Sequence, residues 1–320
     1  MSFKLIKRPG FYSLIKRTPP LIVLFSFLLV IITLSGCTGD QRGNLEKNGD
    51  SLVIACTIPP QEEFIKAIGG DNVTVFVMVP PGASPHTYEP SPSQIKGLES
   101  ADMYISLGSG LEFENRWLSR IQGMYPNLPI INSSKDIVFI TGEEHTFTEN
   151  GTAGDTNNTG NGKDPHVWVS LRNAATIVNT TYEALSRFRP AKKEMFDRNR
   201  DNYLANLSQL DREIEKELST LSLRKIIVYH PSLGYFSRDY NLTQISVEVE
   251  GHEPAAKSLA ALIDEAKSEN ITMVFAEPEE STRGAEKLSD EINGRMVIIS
   301  TLSSDYIRNM QHIADKISGQ

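Results

Sequence analysis

LVIACTIPPQEEFIKAIGGDNVTVFVMV (residues 52–79) decides the fold. A short apolar run, Leu52–Cys56, is followed by a helix-like stretch from Glu62 to Ile68 and by a second apolar run from Val73 to Val79. The same rhythm continues through Ser93–Glu99, Met103–Leu107 and Leu111–Met124. Strand-like runs alternating with helix-like ones argue for βα units and a mostly parallel sheet. Ser91-Pro92-Ser93-Gln94 marks one helix start, with Ser91 as N-cap, Pro92 at the first helical position and Gln94 three residues on.

Working toward the C-terminus, the pattern predicts a helix from about Leu171 to Phe188, ended by Arg189-Pro190. From Ala191 to about Leu221 there is neither Gly nor Pro, and Tyr203, Leu207, Leu210, Ile214, Leu218 and Leu221 recur at three- and four-residue spacing. That is one long amphipathic helix. About 30 residues at 1.5 Å each span about 45 Å, more than the width of one small domain. We read it as a strut between two lobes, since its stripe is too short for a coiled-coil partner. Beyond it the rhythm resumes from Lys225–Tyr229 to Tyr306–Ile317, without a close sequence repeat of the first half.

Working toward the N-terminus, Lys4, Lys7, Arg8, Lys16 and Arg17 precede an apolar run from Leu21 to Leu34. At 14 residues it is too short for a stable membrane span and reads as a secretory signal. Leu34-Ser35-Gly36-Cys37 resembles the lipobox of prokaryotic lipoproteins, in which the Cys is acylated. Residues 38–50 are polar and read as a flexible tether. The remaining cysteine, Cys56, lies in an apolar run and reads as a small buried hydrophobe. An exported chain with one leftover Cys relies on a core rather than on disulfides, and about 280 mature residues suffice for two domains.

The net charge of −8, with basic residues spread out, argues against a nucleic-acid partner, which usually meets a basic patch. Asn-x-Ser/Thr sequons at Asn72, Asn132, Asn150, Asn157, Asn179, Asn206, Asn241 and Asn270 give mild support for an external location. Thr141 to Lys163 is poor in apolar residues and reads as a long loop, with His145 as a solvated loop residue.

Three of the six histidines touch a proline: Ser84-Pro85-His86, Asp164-Pro165-His166 and His230-Pro231. Proline fixes its own φ and pushes its predecessor out of the helical region, so these turns are stiff before a ligand arrives. Each histidine alone is an ordinary polar turn residue; together they form a candidate zinc site, three neutral imidazoles with one position left for water or a fourth side chain. His86 and His230 come just after apolar strand-like runs, and in open α/β sheets ligands bind beyond the carboxyl ends of strands. His252 and His312 read as surface residues.

Val79-Pro80-Pro81-Gly82-Ala83-Ser84-Pro85-His86-Thr87-Tyr88-Glu89-Pro90-Ser91-Pro92-Ser93, Ala101-Asp102, Gly108-Ser109-Gly110-Leu111-Glu112, Asp164-Pro165-His166-Val167-Trp168, Tyr229-His230-Pro231-Ser232-Leu233-Gly234-Tyr235-Phe236 and Phe275-Ala276-Glu277-Pro278 occur in this order. The set resembles the solute-binding lipoproteins of zinc and manganese ABC importers over nearly all of the mature chain. The resemblance implies an α/β fold of two lobes, each a mostly parallel four-stranded sheet flanked by helices, joined by one long rigid backbone helix. The boundaries expected are a signal peptide at 1–37, the tether at 38–50, lobes at 51–189 and 222–320, and the linking helix at 190–221. It also implies that His86, His166 and His230 are the metal ligands. Manganese-selective members carry a carboxylate at the third position, where this chain has His230, and three nitrogens favour zinc.

At the fourth ligand the chain departs from the family. Ser300 aligns where many relatives have a coordinating Asp, which leaves that place to water, while Asp305 reads as a helix N-cap. Glu277 either holds the outer N–H of a ligand imidazole or caps the next helix. The reading is a monomeric, lipid-anchored protein on the outer face of the cytoplasmic membrane that passes Zn2+, bound as cargo, to the permease and ATPase subunits of an ABC importer. A manganese or iron binder and a surface adhesin are the alternatives. Three histidines and water also build zinc hydratases and hydrolases, but the chain lacks His-Glu-x-x-His and similar signatures, so no enzyme is expected.

Overall fold

The computed structural model describes residues 51–140, 162–248 and 254–319, together with the backbone of two short strands at 145–147 and 153–155. The signal, Cys37, the tether, His252 and the sequons at Asn150 and Asn157 lie outside the described residues.

The first sheet is built from β1 (Leu52–Cys56), α1 (Pro59–Gly69), β2 (Val73–Val77), α2 (Pro92–Gly97), β3 (Met103–Ser106), α3 (Glu112–Met124) and β4 (Ile130–Asn132). Its strands are parallel in the order β2-β1-β3-β4, with Leu52 opposite Val73, Ile54 opposite Met103 and Tyr104 opposite Ile130. All five residues of β1 are buried, as a central parallel strand covered on both faces requires. β4 escaped the sequence rhythm because it is three residues long and lacks a fully buried position. Ser91 caps α2 as expected: its hydroxyl accepts from the Gln94 amide at 3.3 Å, and the Gln94 carboxamide accepts from the Ser91 amide at 3.0 Å.

The stretch from Thr141 to Lys163, read from sequence as a loop throughout, contains an antiparallel pair, β5 (His145–Phe147) and β6 (Ala153–Asp155). Then come α4 (Leu171–Phe188) and α5 (Lys193–Leu218). The expected long helix is thus 26 residues, about 39 Å, entered through a 3-10 turn at Pro190–Lys192 that absorbs the proline. The second sheet follows as β7 (Lys225–Val228), α6 (Gly234–Asp239), β8 (Thr243–Ser246), α7 (Ala256–Ser268), β9 (Met273–Ala276), α8 (Arg283–Glu291), β10 (Arg295–Ile298) and α9 (Tyr306–Ser318). Its order, β8-β7-β9-β10, repeats that of the first sheet, and all its pairs are parallel. In each sheet the chain leaves its first strand to one side and returns on the other, which creates a switch point where loops diverge and a ligand fits.

One apolar core runs through both halves. It joins Ile54 and Phe64 of the first, Leu207 and Ile214 of α5, and Ile226, Phe275 and Ile313 of the second. In β9 the period-two alternation divides the labour: Met273 and Phe275 face this core, while Val274 and Ala276 face a smaller one with Leu262 and Leu288. Cys56 is buried, as its apolar context indicates.

The start of α9 corrects one expectation. Asp305 occupies the N-cap position, but its side chain makes no cap hydrogen bond. Glu63 of α1 instead accepts from the amides of Tyr306 and Ile307 and from the Tyr203 hydroxyl of α5. A carboxylate from another helix satisfies the orphan amides and complements the helix dipole. The Phe64 and Tyr306 rings meet edge to face beside it at 4.7 Å.

Candidate metal centre

Three turns carry the histidines, of which only that of His230 directly follows a strand. His86 lies in the irregular segment between β2 and α2, where the Ser84 hydroxyl accepts the His86 amide at 3.2 Å and the Ser84 carbonyl accepts the Tyr88 amide at 2.9 Å. His166 closes the turn Asp164-Pro165-His166, its amide donating to Asp164 Oδ1 at 2.8 Å. Its ring packs against Trp168 at 5.3 Å. His230 comes two residues after β7, at the switch point of the second sheet, and the Ser232 amide donates to its carbonyl at 2.8 Å.

These turns bring the three imidazoles together. Nε2 of His166 is 3.4 Å from Nε2 of His86 and 3.3 Å from Nε2 of His230, and one nitrogen from each ring lies within 4.8 Å of the others. Two nitrogens each about 2.05 Å from one zinc and separated by a tetrahedral angle sit about 3.3 Å apart, which the two distances from His166 match.

The opposite ring nitrogens decide what the inward ones can do. Nδ1 of His86 meets Glu112 Oε2 at 2.6 Å, Nδ1 of His166 meets Asp164 Oδ1 at 2.8 Å, and Nδ1 of His230 meets Glu248 Oε2 at 3.3 Å. A carboxylate accepts only, so these partners assign the proton to Nδ1 and leave three Nε2 lone pairs converging on one point. Convergent lone pairs repel one another unless a cation sits between them. Carboxylate–histidine pairs of this kind fix ring orientation and raise ligand basicity.

Electrostatics follow the same layout. Burial opposes the charged form of His86, but the Glu112 hydrogen bond and the charges of Glu112, Glu280 and Glu277 outweigh it and raise its pKa above the ordinary 6.5. Burial pushes the Glu112 carboxyl up, and the His86 hydrogen bond with the charges of His86 and His166 brings it below the ordinary carboxylate value.

Glu277 does neither of the things expected of it. Its carboxylate, 7% exposed, accepts from the Ser232 hydroxyl, while each imidazole Nδ1 has another partner and Thr282 holds the N-cap position of α8. Because β9 lies beside β7, the end of β9 meets the turn after β7 two residues beyond the histidine. Burial raises the Glu277 pKa despite the charge of His230. Ser300 is engaged elsewhere, donating to Glu279 Oε1 at 2.7 Å and accepting from the Leu302 amide. His312 is exposed on α9.

The carboxylates Glu112, Asp164 and Glu248 were not singled out as partners from sequence. Asp164 alone carried a local signal, since it precedes His166 by two residues across a proline. Glu112 and Glu248 stand 26 and 18 residues from their histidines and meet them only through the fold.

A family model described as "ZnuA: Zinc-uptake complex component A periplasmic" matches residues 54–319. The high-affinity zinc uptake system protein ZnuA of Bacillus subtilis (strain 168) is 28% identical over 289 residues, covering 87% of this chain and 88% of that protein. The zinc-binding protein AdcA of Streptococcus pyogenes serotype M1 is 27% identical over 264 residues, covering 78% of this chain and 50% of AdcA, so the chain spans about half of AdcA's length. Among solved structures, a zinc-bound ZnuA deletion mutant superposes with a TM-score of 0.77 at 37% identity, over 84% of this chain and 97% of that one. With the match extending from β1 to the end of α9, the chain belongs to the ZnuA family of zinc-uptake components.

Proposed function

We propose that His86, His166 and His230 capture one Zn2+ outside the cytoplasmic membrane, and that the protein passes this cargo to the permease and ATPase subunits of an ABC importer. The observation that carries the ligand assignment is the Nε2 spacing of 3.3 and 3.4 Å with every outer nitrogen tied to a carboxylate. Hydrated zinc exchanges waters for imidazoles, and no bond of a substrate is made or broken. The fourth place goes to water. Zinc uptake in the ZnuA family and zinc binding by the AdcA relatives support the same cargo, and members of the family are substrate-binding proteins rather than enzymes.

Three nitrogens favour zinc over manganese, which prefers carboxylate and water. The test is elemental analysis with competitive titration of Zn2+ against Mn2+ on the mature protein. One zinc per chain, a large zinc preference and strong weakening in His86→Ala, His166→Ala and His230→Ala are expected; parent affinity in all three variants refutes the ligand assignment.

The lipid anchor belongs to the same proposal. Acylation of Cys37 keeps a monomeric protein beside its permease, with the tether at 38–50 spanning the gap to lobes bounded at 51–189 and 222–320. One AdcA relative, from Streptococcus pneumoniae, is described as a lipoprotein. Cys37→Ser is expected to release the protein from membranes, and unchanged membrane retention refutes the anchor.

A further inference from the structure

His86 is held differently from its two companions. His166 is locked by its own turn and by Trp168, and His230 follows a buried strand, whereas His86 stands on the solvent side, its side chain 20% exposed, in a segment without regular structure. The first two turns of α3 supply much of what restrains it. Glu112 takes the ring nitrogen, and the Phe113 amide donates to the Pro85 carbonyl at 3.1 Å.

Arg116, one turn further along α3, takes the backbone. Its Nη2 donates to the carbonyl of His86 itself at 3.0 Å and lies 3.4 Å from that of Tyr88. Nη1 donates to Glu89 Oε1 at 2.8 Å, and Nε lies 3.3 Å from the Glu112 carbonyl. The other Glu89 oxygen accepts from Trp117 Nε1 at 3.0 Å. One planar guanidinium therefore spans three points of the segment 86–89 while resting on the helix that carries Glu112. A lysine ammonium, a single point on a flexible stem, does not reproduce this fork.

We propose that Arg116 is a positioning residue for zinc, fixing the backbone of His86 in register with Glu112 so that Nε2 reaches the metal at bonding distance. The inference rests on His86 being a ligand. Zinc–nitrogen distances tolerate only about ±0.2 Å, so a segment free to drift loses affinity even with its imidazole intact. The ion pair with Glu89 is exposed and contributes little by itself; the carbonyl contacts are what aim the ring.

The test compares Arg116→Ala, Arg116→Lys and Glu89→Gln with the parent by three readouts: zinc affinity in competition with a chromophoric chelator, the ligand-field spectrum of the Co2+-loaded protein, and thermal unfolding without metal. Arg116→Ala is expected to weaken zinc by about 10–100-fold, the usual effect of losing an outer partner of a ligand, and to alter the cobalt spectrum. Arg116→Lys, which keeps charge and stem, is expected to fail to restore either, and it stands as the deciding variant if the alanine protein does not fold. Glu89→Gln is expected to bind within about threefold of the parent, because the carbonyl contacts survive it. Parent-like affinity and cobalt spectrum in Arg116→Lys or Arg116→Ala overturn the proposal, as does a Glu89→Gln effect equal to that of Arg116→Ala. A parent protein that binds no zinc, or a His86→Ala protein that binds it normally, overturns the ligand assignment instead.

Discussion

Asp164→Ala separates zinc affinity from the mere presence of three histidines. In the parent, Asp164 Oδ1 accepts both the amide and the ring Nδ1 of His166, each at 2.8 Å, and the carboxylate side chain is 8% exposed. Its removal leaves a buried amide without an acceptor, a cost of about 1–3 kcal/mol to the metal-free protein. It also frees the His166 ring to turn and to place its proton on Nε2, where no zinc can bind. Outer partners of this kind are worth about 10–100-fold in metal affinity, or about 1.4–2.8 kcal/mol. With zinc at about 100 times the parent Kd, binding stabilises the parent by about 2.7 kcal/mol; the same zinc stabilises a tenfold weaker variant by about 1.4 and a hundredfold weaker one by about 0.4 kcal/mol. Scanning calorimetry with and without zinc reads both effects at once, as a lower metal-free Tm and a zinc-induced rise cut by half or more. Asp164→Asn, which keeps a neutral acceptor at Oδ1, should fall between. A full zinc-induced rise in Asp164→Ala, beside none in His166→Ala, would show that Asp164 does not orient the ligand.

Gly234→Ala tests the same carboxylate from the other side: a Cβ there would stand 2.4 Å from Asp164 Oδ2 and 3.1 Å from Ile140 Cδ1, so zinc titration should show weakening in the direction of Asp164→Ala, and unchanged affinity counts against the Asp164 role. Glu63→Ala strips the acceptor from the first amides of α9 and from the Tyr203 hydroxyl; a loss of about 2–4 kcal/mol, or about 5–10 °C in Tm, is expected with zinc affinity retained. Zinc binding should be complete above the imidazole range and weaken as pH falls, since only neutral imidazole binds. Burial resists protonation of His86, but Glu112 and its acidic neighbours raise its pKa above 6.5, so proton competition begins at a higher pH than for a free histidine. Glu112→Gln should move that onset to lower pH, measured as zinc Kd against pH, and an unmoved onset removes Glu112 as its cause.

How much was legible in sequence follows from how local each signal is. β1 was readable because five consecutive apolar residues fill a strand buried on both faces, and the histidine turns were readable because proline writes its constraint into the adjacent residue. The carboxylate partners lay beyond reach: Glu248 meets His230 because β8 lies parallel to β7, with Ser246 opposite Val228, which no spacing rule announces. Glu277 misled for the same reason, because the end of β9 reaches Ser232 rather than an imidazole. The cap of α9 shows the limit plainly. Asp305 is the right residue type at the right position, yet the cap comes from Glu63, 243 residues before Tyr306, and only the packing of α1 on α9 chooses between them.

That packing also bears on how a site shared by two sheets keeps its spacing. The halves are tied by Trp168 Nε1 donating to the Thr301 carbonyl at 2.8 Å, by the Tyr306 hydroxyl donating to the Trp168 carbonyl at 2.6 Å, and by Phe64 against Tyr306. Parting them would bring Trp168, Phe64 and Tyr306, each at most 1% exposed, into water. At about 1.5–3 kcal/mol for each large apolar side chain, exposing these three alone costs about 5–9 kcal/mol. These contacts fix the register of the two halves in which Nε2 of His166 and Nε2 of His230 stand 3.3 Å apart. His86, on an irregular segment with its side chain 20% exposed, depends instead on what α3 supplies: the Glu112 carboxylate at its ring, the Phe113 amide at the Pro85 carbonyl and the Arg116 guanidinium at its own carbonyl.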